Sequence, residues 1–95
     1  MVTNRELFLR HVGQTSDAPM MLDIVDARGV FLYTRDQKRY VDMVSGVSVS
    51  NLGHRHPVVV EAVKKQAEAY MHLMVYGEYI QSPQVQYASW LADHL

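Results

Sequence analysis

Ninety-five residues, 48% of them hydrophobic, suit one small domain or part of a larger protein and argue against disorder. Nine basic against ten acidic side chains leave a formal net charge of −1, so there is no basic field to hold nucleic acid or an anionic membrane. No cysteine is present, which excludes disulfides and thiol chemistry and is compatible with a reducing compartment. The first residues, Met1 to Glu6, lack the apolar stretch of a signal peptide, and no apolar run approaches the ~20 residues of a membrane helix.

Taken in chain order, residues 4–12 carry Leu7, Phe8 and Val12 on one face, with Thr3 or Asn4 as the N-cap and Gly13 as the stop, and predict a short amphipathic helix. Residues 14–19 read as a loop. The period then shortens. Leu22, Ile24 and Ala27 lie in a strand-like run ending at Arg28-Gly29; residues 30–34 form a second, closed by the polar turn at residues 35–38; residues 39–43 form a third. Connections this short require antiparallel hairpins, hence a three-stranded meander. Alternation in the third strand sets Tyr40 and Asp42 on one face, Val41 and Met43 on the other.

Residues 45–55 read as a loop rich in small residues. His56 then precedes Pro57 at the first position of a helix over residues 58–70, with Val59, Val63, Ala67 and Tyr70 on one face and Glu61, Lys64, Lys65 and Glu68 on the other. Residues 71–81 read as a connector containing Gly77. Ser82 and Pro83 read as cap and first residue of a final helix over residues 84–94. The expected fold class is α+β: an N-terminal helix, a three-stranded antiparallel meander, then two helices. So small a sheet with so little helix leaves many apolar residues wet in an isolated chain, which points to a fragment or an obligate assembly. Tyr70, Met71, Met74, Tyr76 and Tyr79 form a cluster suited either to an interface or to plain core filling.

Candidate chemistry is sparse. His54 and His56 have a spacing that some metal sites use, with Glu78, His72 or Asp42 as a third ligand; the competing reading, hydrogen bonding to backbone or capping, leaves no metal site. Ser45, Ser48 and Ser50 lie near these histidines, but no nucleophile-elbow pattern surrounds them, and loop serines are ordinary turn formers. The helix start at Pro57 has free N–H groups for an anion, as every helix start does. A Schiff-base lysine needs an enclosed site, and Lys38, Lys64 and Lys65 read as solvated.

The run from Asp26 through Gly29, Phe31, Asp36, Tyr40 and Asp42, followed by Ser45-Gly46, Gly53-His54, His56-Pro57, Tyr76, Ser82-Pro83-Gln84 and Ala88 to Leu91-Ala92, resembles the N-terminal segment of class III aminotransferases. These are pyridoxal-phosphate (PLP) enzymes of fold type I, the acetylornithine and ornithine aminotransferase group. Gln37 stands where that family usually has glycine, a departure that changes turn chemistry. The resemblance implies that residues 1–95 are an incomplete small domain, with the large PLP-binding domain absent. It implies a homodimer, a cytoplasmic location, and amino-group transfer from an amine or amino acid to a 2-oxo acid. By position, Gly46 and Val47 match residues that touch substrate in relatives; an aliphatic side chain at Val47 is more like the acetylornithine type. The family's lysine, its aspartate partner for the pyridinium nitrogen and its Gly-Ser/Thr phosphate cup have no counterpart here. They are expected beyond Leu95, so no catalytic or cofactor-binding residue is carried onto this chain, and the isolated chain is expected to be inactive. The alternative is a standalone oligomerising or interaction module without catalysis.

Overall fold

The computed structural model describes every residue, Met1–Leu95, and the chain divides into two compact units, Met1–Glu61 and Ala62–Leu95. In the first unit, α1 (Asn4–His11) starts at Thr3. The Thr3 hydroxyl accepts the Glu6 N–H at 3.2 Å, and the Glu6 carboxylate accepts the Thr3 N–H at 2.8 Å. Two N–H groups that a helix start leaves without partners are thereby answered reciprocally. Glu6 in the first turn and Arg10 and His11 in the last also complement the helix dipole.

The meander forms as expected, in the order β1 (Ile24–Arg28), β2 (Phe31–Thr34), β3 (Arg39–Val41), all antiparallel. A register shift between Ile24 and Asp26 marks a bulge in β1. Phe31 pairs with Arg28 and Val41, and Leu32 with Ala27 and Tyr40, so Phe31 and Val41 share one face and Leu32 and Tyr40 the other. On the Phe31 face the Arg39 guanidinium lies 4.3 Å from the Phe31 ring centroid and the Arg28 guanidinium 5.8 Å from that of Tyr33. Charged groups thus cover the aromatic rings and keep this face compatible with water. On the Leu32 side, Phe8, Pro19, Met20, Met21, Leu22 and Ile24 border an open apolar recess of about 540 Å3.

The β2–β3 turn is built on Thr34, the one buried residue of the chain. Its N–H donates to the Lys38 carbonyl, its hydroxyl accepts the Lys38 N–H at 3.1 Å and donates to the Asp36 carboxylate. That hydroxyl holds Asp36 below the usual carboxylate range, with Lys38 adding to the effect. Gln37 sits at φ +65°, the left-handed region where its side chain is strained.

α2 (Ser45–Ser48) interrupts the expected loop over residues 45–55 with a single helical turn, and α3 (Pro57–Ala69) follows. In the second unit, residues 71–81 form an irregular connector. α4 (Ser82–His94) differs from expectation at its start. Gln81, with extended backbone, is the cap, but its side chain donates back to the Met74 carbonyl at 3.2 Å and caps nothing. Ser82 is already helical and accepts from the Gln86 side chain at 3.0 Å. Tyr87, Trp90 and His94 stack along one stripe of α4. No hydrophobic side chain in the chain is fully buried, which bears out the expectation of wet apolar residues. Met71, Tyr76 and Ile80 are 86%, 85% and 93% exposed, so the Met/Tyr cluster does not fill a core here. No helix is long and apolar enough to cross a membrane.

Replacing Gln37 by glycine should relieve the left-handed strain and stabilise the meander by about 1 kcal/mol. Slower amide hydrogen exchange at Thr34 and Lys38 is the expected readout; unchanged or faster exchange would show that the turn carries no strain.

Candidate functional site

The loop from Asp42 to His54 leaves the sheet at the end of β3 and returns to it at the β1–β2 turn. At its start, the Asp42 N–H donates to the Val30 carbonyl at 2.8 Å. At its end, His54 exchanges two backbone bonds with Gly29: the His54 N–H donates to the Gly29 carbonyl at 2.8 Å, and the Gly29 N–H to the His54 carbonyl at 3.0 Å. Gly53 is required beside this bridge. Its φ is +81°, and a Cβ there would lie 3.2 Å from the Gly29 carbonyl oxygen and 3.3 Å from the Gly29 Cα.

Between these anchors, Ser45, Gly46, Val47 and Ser48 have φ values of +53°, +62°, +62° and +64°. The turn is therefore left-handed. Glycine tolerates this; a left-handed conformation costs other residues about 1–2 kcal/mol each, and a β-branched residue such as Val47 is a genuine outlier. The turn closes with Val47 N–H donating to the Val44 carbonyl at 3.0 Å, and Val49 and Ser50 N–H donating to the Ser45 carbonyl at 2.8 and 2.9 Å.

Asp42 holds this turn from below. One carboxylate oxygen accepts the Val44 and Ser45 N–H groups at 3.1 and 2.9 Å; the other meets His54 Nε2 at 2.6 Å. The side chains of Asp42 and His54 are only 10% and 21% exposed, so the pair is shielded from bulk water. The Ser45 N–H first, then His54, hold the Asp42 carboxyl below the usual carboxylate range. Farther on, Arg55, at φ +56°, reaches Asp26 at 2.9 Å, and Asp26 also binds Arg28 at 2.8 Å. His56 Nδ1 accepts the Val58 N–H at 3.3 Å at the start of α3.

These contacts decide among the candidate chemistries. His56 caps a helix, as the backbone-and-cap reading expects, whereas the His54 side chain bonds to the Asp42 carboxylate instead of backbone; neither bonds to a serine. No group of three metal-ligating side chains forms. Lys38 faces Asp36 at 3.5 Å in an open turn, and Lys64 and Lys65 are exposed on α3. No lysine sits in an enclosed site, so these residues do not by themselves fit PLP. Gly46 and Val47 lie together at the crest of the left-handed turn, and Val47 is 82% exposed. The arrangement presents backbone and an aliphatic side chain from a rigid support; it supplies no nucleophile or general base. The sequence associates Asp42 with His54 only as a possible third metal ligand, not as a hydrogen-bonded pair, although an aspartate just ahead of a small-residue turn is a signal for side-chain capping of backbone N–H groups.

Two outcomes check this geometry. Because the Asp42 carboxyl titrates lower in the folded than in the unfolded chain, its stabilising effect is present above the unfolded carboxylate value of about 4 and is lost as pH falls through the folded value. The Val44 and Ser45 amide resonances should therefore shift together with an apparent pKa below that of a free aspartate; a midpoint at the free value would refute the pairing. Gly53→Ala should break the Gly29–His54 bridge and speed exchange of the His54 amide by about tenfold or more.

Residues 12–95 match the family Aminotransferase class-III. The acetylornithine aminotransferase of Methanocaldococcus jannaschii is 41% identical over 70 residues, covering 74% of this chain and 17% of the relative. The taurine:2-oxoglutarate aminotransferase of Bifidobacterium kashiwanohense, solved in complex with PLP and glutamate, superposes with a TM-score of 0.77 at 36% identity over 92% of this chain and 20% of that one. Plasmodium falciparum ornithine delta-aminotransferase gives 0.72 at 28% identity, covering 90% of this chain and 22% of that one. The chain thus spans about a fifth of the length of these proteins. The match runs through the meander, the strained loop and both later helices, and the chain belongs to the class-III aminotransferase family.

Proposed function

We propose that these residues serve as the N-terminal segment, within the small domain, of a PLP-dependent transaminase that moves an amino group from an amine or amino acid to a 2-oxo acid. Gly46 and Val47 form part of the substrate mouth. PLP, when bound, supplies the electron sink for the chemistry, held by protein outside these residues together with its Schiff-base lysine. The working enzyme is a cytoplasmic homodimer. Isolated residues 1–95 have no transaminase activity.

The observation that carries this reading is the strained turn. Left-handed backbone at non-glycine residues persists only where the surroundings over-determine it, and such strain gathers at ligand-contacting sites. Here it falls on Val47, one of the two residues that match substrate contacts in the resemblance, and on Ser45 and Ser48, which flank Gly46 and Val47. A second reading, a standalone oligomerising module, draws support from the exposure of Met71, Tyr76 and Ile80.

The deciding experiment reads the gene beyond the codon for Leu95 and assays both products. The transaminase reading expects a continuing frame with a Gly-Ser/Thr phosphate loop and a later lysine, an active complete product, and no turnover by residues 1–95 alone. A stop codon with a monodisperse, cooperatively melting dimer would replace it with the module reading. Measurable turnover by residues 1–95 would refute the assignment of lysine and cofactor to other parts of the enzyme.

A further inference from the structure

We infer that Asp42 and His54 act as a positioning pair that sets how Gly46 and Val47 meet the substrate, so that the pair governs substrate affinity and not the chemical step. This rests on the reading of Gly46 and Val47 as substrate contacts. Three observations carry it. The turn to be held is strained at Ser45, Val47 and Ser48, so it needs a restraint beyond its own hydrogen bonds. The Asp42 carboxylate binds the backbone at the foot of the turn through the Val44 and Ser45 N–H groups, at 3.1 and 2.9 Å, while the Ser45 hydroxyl adds only a long 3.5 Å bond to the Asp42 carbonyl. Its other oxygen is fixed by His54 Nε2, whose backbone is bridged on both sides to Gly29. The hairpin turn, the histidine, the carboxylate and the left-handed turn thus form one mechanical chain.

Asp42 is turned inward, and His54 keeps only Nδ1 free of a protein partner. Asp42 uses both oxygens internally, and His54 Nε2 is committed to Asp42. A group so enclosed acts on substrate through the backbone it holds. Loosening it should let the turn sample right-handed backbone, withdrawing Val47 for part of the time, which lowers affinity by the fraction of competent enzyme and leaves bound complexes reacting at nearly the normal rate.

The test uses the complete PLP-loaded product of the reading frame, with His54→Ala, His54→Gln, Asp42→Asn and Val47→Ala. Gln presents a donor near the place of His Nε2 and is the conservative replacement. His54→Ala and Asp42→Asn are expected to raise KM for the amino donor about tenfold with kcat within about threefold, and His54→Gln to recover most of the loss. A merely structural role would reduce the amount of active enzyme, lowering kcat with KM unmoved, and that result overturns the inference. So does a KM within about twofold of the parent in both Asp42→Asn and His54→Gln, the two variants that keep side-chain size should His54→Ala fail to fold, provided Val47→Ala raises KM. If Val47→Ala also leaves KM unmoved, the substrate-contact reading of the turn falls, and the inference with it.

Discussion

Two backbone hydrogen bonds between Gly29 and His54 hold this structure's most distinctive segment in place. Without them the loop after β3 has one anchored end, and a single turn of left-handed backbone has nothing to push against. A typical hydrogen bond contributes about 1 kcal/mol net, whereas each non-glycine left-handed residue costs about 1–2 kcal/mol. The internal bonds of α2 therefore cannot offset the strain of Ser45, Val47 and Ser48 with any margin. The bridge removes the freedom of the loop's far end, and the Asp42 carboxylate then answers the N–H groups that the left-handed geometry turns inward.

The same structure lacks what usually stabilises a fold of this length. It has no fully buried apolar side chain, and its sheet has three short strands. Its order is local: hairpin ladders, the Thr34 turn, a capping box, the Asp26–Arg28–Arg55 cluster and the Asp42–His54 pair. Exposed ion pairs such as Arg28–Asp26 contribute little on their own. Sheets of this size need a covered apolar face, and the face that carries Leu32 borders an open recess while the Phe31 face is screened by arginines. Well-made polar geometry thus stands beside missing apolar burial.

The parts that were legible in sequence are those set by neighbours along the chain. Alternation and the polar turn at residues 35–38 located the meander, Thr3 or Asn4 ahead of the apolar spacing marked a helix start, and Pro57 marked another. Illegible features depended on partners far apart or on backbone that the residue types do not favour. Ser45, Val47 and Ser48 carry no preference for left-handed φ, so the segment reads as plain loop. Asp42 and His54 stand twelve positions apart, and no local pattern pairs them. Ser82 has the chemistry of a cap, yet the chain enters α4 one residue earlier, because Gln81 is tied to Met74 and the helix starts from there. The departure at Gln37 was visible, but the strain it imposes appears only with its φ.

The site separates support from contact. Support comes from backbone bonds, the Asp42 carboxylate, the His54 imidazole and the Ser45 hydroxyl, none of which involves the Val47 side chain. The Val47 side chain itself is 82% exposed, and under the proposed function it is the contact. A side chain with no structural duty can change size without disturbing the turn that carries it, provided its φ is tolerated. Its shape can then follow the ligand while Asp42, Gly53 and His54 stay fixed. Such a division lets one scaffold present different surfaces at one place: the side chain at Val47 is free to vary, while the pair beneath it is fixed by its hydrogen bonds.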